Sequence, residues 1–266
     1  MSGPVQHRKA DEFNALHEGE PFVIPNPWDA GSARVLAALG FRALATTSSG
    51  FAFTLGRVDT EAKLDEVVEH VRAIDAATSL PVSVDLESGY GSASADVANA
   101  IRRVAAAGAV GASIEDWDPI DGIYPIDRAV ERIAAACEAA AELDFPFMVT
   151  GRAENHIRGN PDLADTIERL QAYERVGAHI LYPSGLRSAG EIRAVCDAIS
   201  RPVNVLAVAG LNLADIFAAG AQRASVGGQL AWTAIEAMAR AAEALRDSGD
   251  SSALATAVRI RAWLED

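Results

Sequence analysis

Cysteine is nearly absent: Cys137 and Cys196 stand alone in 266 residues. Both fall in alanine-rich helical patterns, so they read as small core residues rather than as a disulfide or a nucleophile. Long apolar runs are also missing. Half of the residues are apolar, yet no run reaches the roughly 20 residues that a membrane span needs. Residues 1–20 are polar and charged, without the apolar centre of a signal peptide. Together these absences imply a cytoplasmic chain with no membrane partner. Positive charge is in deficit, with 23 Lys and Arg against 37 Asp and Glu and a net charge of −14. That excludes nucleic acid as an expected partner. An anionic substrate then needs local positive charge, from a metal or a placed arginine. Histidine is scarce as well, and His7, His17 and His70 show no metal-ligand spacing.

What is present is an alternation. Short β-type runs occur at 22–24, 43–47, 82–85, 112–115, 147–150, 179–182, 203–206 and 224–226, each followed by a helical pattern. In 61–79, Leu64, Val67, Val68, Val71 and Ile74 form one apolar stripe. In 162–176, Leu163, Ile167, Leu170 and Tyr173 form another. Gly40, Gly108, Gly177 and Gly220 end helices just before the next strand. Strand and helix alternating eight times is the count of a (β/α)8 TIM barrel. The alternative, a doubly wound sheet, lacks its Gly-x-Gly-x-x-Gly after the first strand. With no linker or low-complexity run, 1–266 reads as a single domain. Beyond the eighth strand lies a C-terminal helical extension, about 229–266, with helices expected at 229–246 and 252–264. That is one helix more than a bare barrel needs, and it either packs below the barrel or reaches a neighbouring subunit.

Barrel chemistry sits at the carboxyl ends of the strands. The third strand ends in Asp85-Leu86-Glu87-Ser88-Gly89-Tyr90-Gly91. Asp85 and Glu87 are two residues apart, on the same side of an extended backbone. The glycine turn behind them lets backbone approach whatever they hold. Such a pair suits a divalent cation with oxygen ligands, or caps the next helix. Glu115 and Asp116 end the fourth strand, so four acids from adjacent strands converge. Shared protons or a cation can relieve that repulsion, and Mg²⁺ (or Mn²⁺) among carboxylates and water is the more economical arrangement. Arg152, after the fifth strand, offers a fork for a substrate carboxylate, or a structural salt bridge to Glu154 or Glu115. Ser49-Gly50 offers backbone N–H groups as an anion or enolate cradle. Trp28 and Phe51 wall the pocket or pack the core. Tyr182 donates a proton or fills the barrel mouth. His156 reads as a loop cap or an acid/base, and His179 as structural. Metal, arginine and N–H donors together suit a 2-oxo acid whose bond cleavage leaves an enolate.

Six segments carry a resemblance in the order of their strands: Pro25-Asn26-Pro27-Trp28-Asp29-Ala30, Thr47-Ser48-Ser49-Gly50, Asp85-x-Glu87-x-Gly89-Tyr90-Gly91, Ile114-Glu115-Asp116, Gly151-Arg152, and Ser225-Val226-Gly227-Gly228. Over almost its whole length the chain resembles the isocitrate lyase/phosphoenolpyruvate mutase superfamily. The resemblance implies a Mg²⁺-dependent barrel that forms a homo-oligomer, a dimer or often a tetramer, with the last helices exchanged between paired subunits. It implies that Asp85 binds the metal, with Glu87 and Glu115 holding it directly or through water. Ser49, Gly50 and Arg152 would hold the carboxylate and enolate oxygen, and Asn204 would line the pocket. The implied reaction makes or breaks a C–C or C–P bond beside a pyruvate unit, through a pyruvate enolate held on the metal. Asp59 stands where the family keeps a functional aspartate, and also where a helix start before Thr60-Glu61 calls for an N-cap.

The departures narrow this. The lyase branch carries Lys-Lys-Cys-Gly-His after strand four, whereas this chain has Trp117-Asp118-Pro119-Ile120-Asp121-Gly122-Ile123-Tyr124, without cysteine, lysine or histidine. The lysine and asparagine of the mutase and phosphonopyruvate hydrolase loop are absent too. Glu87 replaces a more usual aspartate. The expectation that survives is a Mg²⁺-dependent lyase or decarboxylase of a small 2-oxo or 2-hydroxy dicarboxylate. Decarboxylation of an oxaloacetate-like acid needs no cysteine. C–P chemistry on a phosphonopyruvate-like acid and a weakly catalytic 2-oxo acid binding protein are the alternatives.

Overall fold

The computed structural model describes residues 3–254 and 260–264. Eight parallel strands form the centre: β1 (Phe22–Ile24), β2 (Leu44–Ala45), β3 (Val82–Asp85), β4 (Gly111–Glu115), β5 (Met148–Ala153), β6 (Ile180–Pro183), β7 (Asn204–Leu206) and β8 (Arg223–Ser225). One arc runs β2-β3-β4-β5-β6 and the other β1-β8-β7. The arcs meet where Leu181 bridges Val203, and where the Ala45 N–H donates to the Pro25 carbonyl at 3.1 Å. The expected (β/α)8 barrel is the fold.

Helices cover the outside through apolar stripes, among them the one read at 61–79. Leu64–Ala77 buries Val67, Val68, Val71 and Ile74, and Ser94–Ala106 buries Val97, Ile101 and Val104. Each such side chain removed from water contributes about 1.5–3 kcal/mol. The alternation inside the strands matters more for chemistry. Ser83 and Asp85 on β3, and Ser113 and Glu115 on β4, line the barrel interior, while Val82 and Ile114 pack into the surrounding core.

Ahead of the C-terminal helices, three elements depart from expectation. The N-terminal stretch, read only as polar, is a helix, Pro4–Glu18, with proline at its start. It seats fully buried Phe13 beneath β4, where a Cβ on Gly111 would meet the Phe13 ring at 3.0 Å. Its Lys9 is buried in an ion pair with Asp75 at 2.7 Å. The helix therefore closes the amino end of the barrel. Secondly, 48–54, read only as a source of backbone N–H groups, is a short helix capped by Thr47. Thirdly, β5 runs on to Ala153, so Arg152 lies within a strand rather than beyond it.

At the carboxyl end the helix Gln229–Ser248 stops at Gly249, whose φ of 72° suits glycine. It buries Ala231, whereas Met238 and Leu245 are exposed. The expected helix at 252–264 is a 3-10 turn at Ser252–Leu254 and a short helix at Ile260–Leu264, with the intervening part outside the described residues. Arg34 Nη1 donates to the Leu264 carbonyl at 2.6 Å, placing that segment beside the helix Ala30–Ala38. Among the described residues no helix is long and apolar enough to cross a membrane.

His17 gives a stability prediction. It donates from Nδ1 to the Phe13 carbonyl at 2.8 Å, and its Nε2 receives Arg223. Burial, reinforced by the Arg223 charge, pushes its pKa down to about 3. A base whose folded pKa lies below its unfolded value of about 6.5 stabilises the fold fully above that value, and the stability is lost as pH falls. The advantage of wild type over His17→Gln in urea unfolding should therefore shrink by about 1.4 kcal/mol per pH unit below about 6.5. A difference that is flat from pH 7 to 5 would contradict this.

Candidate active site

At the carboxyl ends of the strands lies a cavity of about 160 Å³. Register sets one row of its wall. Glu115 pairs with Arg152 across β4 and β5, and Arg152 with Tyr182 across β5 and β6. Asp85 pairs with Ser113 on the neighbouring strands. Parallel pairing thus brings an acid, an arginine and a phenol to one level.

The Asp85 carboxylate is held from three sides. Its Oδ2 accepts from the Ser48 N–H at 3.2 Å and its Oδ1 from the Glu87 N–H at 3.3 Å. Arg152 Nη1 stands 3.7 Å from Oδ1. Beyond it the chain turns sharply. Glu87 and Tyr90 have φ of 49° and 58°, and Gly89 has 98°. A Cβ at Gly89 would come within 2.8 Å of Val97. Left-handed non-glycine residues persist only where the surroundings impose them. Here the clamp is Arg132, almost wholly buried, which donates to the carbonyls of Ser88, Gly91 and Ser92. Glu87 accepts from the Tyr90 hydroxyl at 2.9 Å. The third described non-glycine residue with positive φ, Thr60 at 72°, also lines the cavity beside Asp59.

Arg152 is the hub. Its Nε donates to Glu154 at 2.6 Å, its Nη1 lies 3.0 Å from Glu115, and its guanidinium sits 5.0 Å from the Tyr182 ring centroid. Burial works against the Arg152 charge, but Glu154 and Glu115 outweigh it and hold the pKa well above the ordinary arginine value. Glu154, fully buried, is held below the usual carboxylate range: burial opposes this, and Arg152 and Arg158 prevail. Glu115 goes the other way, raised by burial and by the charges of Glu154 and Asp85. Glu87 is pushed up to about 7 by burial and by Asp85. Asp59 is raised by the same two influences. The acids thus crowd one another around Asp85, which is the condition a bound cation relieves.

Asp85, Glu87, Glu115, Arg152, Tyr182, Asn204, Ser49 and Asp59 all line the cavity. The next helix begins at Leu64, with Lys63 before it, so Asp59 is not its N-cap. Asp116 does not join the other acids. The period-two alternation turns it outward, where it accepts from Arg169 at 3.0 Å, Tyr173 at 2.6 Å and the Glu154 N–H at 2.8 Å. The fourth lining acid is Asp59. Trp28, Gly50 and Phe51 lie outside the lining. The Gly50 N–H donates to Thr47 Oγ1 at 3.4 Å as part of the helix cap, and a Cβ there would strike Thr47 and Trp28. Phe51 stacks on His70 at 3.9 Å. His156 stands 3.4 Å from Thr166 Oγ1 and 3.9 Å from Glu191, and His179 accepts from the Val149 N–H.

The sequence reading missed Ser83, Ser113, Arg158 and Arg223 in the lining. Serine two residues before each strand-end acid was a visible signal: polar groups on the inward face of buried strands. Arg158 and Arg132 lay in a loop and an alanine-rich helix, with no local pattern to mark them. The region that carries Lys-Lys-Cys-Gly-His in the lyase branch is here a closed hairpin, Trp117–Asp118 against Gly122–Ile123. Asp118 ties it by accepting from the N–H groups of Ile120 and Asp121 and from the Tyr124 hydroxyl.

Among the described residues no group of three His, Cys, Asp or Glu side chains forms a ready metal cage. The donor set still fits Mg²⁺, which binds through one or two carboxylates and keeps several waters. Asp85, with Glu87 and Glu115 near it, supplies hard oxygen donors.

Residues 13–246 match the family model described as phosphoenolpyruvate phosphomutase. A structure from Burkholderia cenocepacia J2315 with the provisional description lyase/mutase is 47% identical, with a TM-score of 0.96, covering 99% of this chain and 98% of that one. The 2-methylisocitrate lyase of Escherichia coli K12 is 31% identical over 71% of this chain and 66% of its own length. The oxaloacetate decarboxylase of Bradyrhizobium diazoefficiens is 31% identical over 73% of this chain and 69% of its own.

Proposed function

The chain belongs to the phosphoenolpyruvate phosphomutase family, within the isocitrate lyase/phosphoenolpyruvate mutase superfamily, and from that premise we propose a Mg²⁺-dependent carbon–carbon lyase acting on a small 2-oxo dicarboxylate. Decarboxylation of an oxaloacetate-like acid is the reaction we favour. The observation that carries this reading is the row Glu115, Arg152 and Tyr182 beside Asp85, combined with a closing hairpin that brings no cysteine, lysine or histidine.

In this reading Asp85 holds Mg²⁺, with Glu87 and Glu115 supporting it directly or through water. The ion, when bound, supplies positive charge to the 2-oxygen as electrons move onto it. Arg152 takes the C1 carboxylate through its terminal N–H groups, with Glu154 fixing the guanidinium plane from behind. Ser49 and Asn204 flank the substrate. The C3–C4 bond breaks, CO₂ leaves, and the electron pair passes into the C2 carbonyl as an enolate. Tyr182, packed against Arg152, is the group placed to return a proton to C3, giving pyruvate. Burial raises the Tyr182 pKa, so the phenol keeps its proton until the enolate forms.

The test is pyruvate release, with Mg²⁺ and with EDTA, from oxaloacetate, 2-methylisocitrate, a dialkylmalate and phosphonopyruvate. We expect oxaloacetate to be the best substrate, above its metal-catalysed background. Phosphate released from phosphonopyruvate without CO₂ would favour C–P chemistry instead. No turnover by protein that still binds oxalate would favour a binding role.

A further inference from the structure

We propose that Arg158 docks the distal carboxylate of a dicarboxylate substrate, a specificity contact that rests on the enolate-forming reading above. Three guanidinium groups line the cavity, and Arg223, buried, spends its N–H groups on Asn204, His17 and Thr150. The situations of the other two differ. Arg152 is closely surrounded by acids, Glu154 at 2.6 Å, Glu115 at 3.0 Å and Asp85 at 3.7 Å. Arg158 lies nearer solvent, its side chain 32% exposed against 16% for Arg152. It donates from Nε to Glu154 at 2.9 Å, and its nearest other acid, Glu115, is 3.9 Å away, beyond hydrogen-bond length. Its terminal N–H fork is therefore unspent on protein and matches a carboxylate bidentately.

The fork is also fixed. The Arg158 guanidinium carbon sits 3.4 Å from the centroid of the Trp117 ring, a cation–π contact that restrains its plane. Trp117 belongs to the hairpin tied by Asp118 and braced by the Asp121–Arg128 ion pair at 2.7 Å. From the other side, Asn155 donates to the Asn160 and Asp162 carbonyls and to Thr166, pinning the loop that carries Arg158.

Charge supplies the selectivity. Asp59, Asp85, Glu87 and Glu115 line the same cavity. A second substrate carboxylate entering that surface meets repulsion unless a cation waits at its end of the cavity. Arg152 takes the carboxylate beside the reacting 2-oxo group, and Arg158 selects the far one on binding, a ground-state contact given up where that carboxylate leaves as CO₂. A 2-oxo monocarboxylate leaves the fork unpaired and binds less well.

The experiment is calorimetric binding, with Mg²⁺, of oxalate and of 3,3-difluorooxaloacetate to wild type, Arg158→Met and Arg158→Lys. Oxalate spans only the inner end, so its Kd in R158M should stay within about threefold of wild type, which also shows that the variant is folded. The longer diacid should weaken at least about tenfold, the loss of one charge-assisted bidentate contact, with partial recovery in R158K, a point charge without the fork. Equal weakening of both ligands, or of neither, would overturn the assignment while leaving the enolate reading intact. Wild type that takes neither compound with Mg²⁺ would overturn both.

Discussion

Asp85→Asn should lower Mg²⁺-dependent turnover of the substrate at least about 10³-fold, some 4 kcal/mol of transition-state stabilisation. Asparagine keeps the shape but only one acceptor oxygen, so one of the two contacts, from the Ser48 N–H or from the Glu87 N–H, can persist and the other is lost. What disappears is the charge at the centre of the acid cluster. Glu87, Asp59 and Glu115 all feel that charge as repulsion. Relief of that repulsion should offset the one lost contact and leave the folded protein about as stable as wild type in urea. A site built for function holds its charges at a cost to the fold, and relieving them separates the two effects. Full activity in D85N, or lost activity only through a fallen melting temperature, would count against the metal-holding role.

The second large effect is on stability. Asp116→Ala should destabilise the protein by about 3–5 kcal/mol, because removing one partner of a buried ion pair strands the other. Asp116 accepts from Arg169, Tyr173 and the Glu154 N–H in a region almost closed to water. Asp165 would remain as a partner for Arg169 Nε, but Tyr173 would lose its 2.6 Å contact. Urea unfolding measures the change. Oxalate binding at a temperature where the variant is folded should survive, since Asp116 lies outside the cavity lining. A loss below about 1 kcal/mol would mean the network contributes little. Adjacent acids at one strand end would thus have opposite assignments, Glu115 to the cavity and Asp116 to the fold.

That contrast shows how far the sequence could be read. Strands were legible because β-branched runs between glycine-ended helices leave few alternatives, and Asp85 with Glu87 stood out as acids where a buried strand should end. Asp116 was misplaced because adjacency in sequence was taken as convergence. The pleat sends neighbours to opposite sides, and Ser113 two residues before Glu115 already marked the inward face. The 48–54 helix was hidden by glycine, threonine and phenylalanine, poor helix formers held there by the Thr47 cap and tertiary packing. The helix Pro4–Glu18 was hidden by its polar composition; Phe13 and Ala10 alone among its apolar residues are fully buried. Arg132 and Arg158 were out of reach altogether. Each acts across some forty residues of chain, Arg132 on the Ser88–Ser92 carbonyls and Arg158 on Trp117, and only the closed barrel brings those partners together.

The most direct test of the central claim is calorimetric titration of oxalate, a stable mimic of the pyruvate enolate, into wild type and D85N, with Mg²⁺ and with EDTA. Binding by wild type that requires Mg²⁺ and is abolished in D85N is the predicted result. Equal affinity with and without the metal, or binding undiminished in D85N, would contradict the assignment of the acid cluster as a metal-dependent 2-oxo acid site.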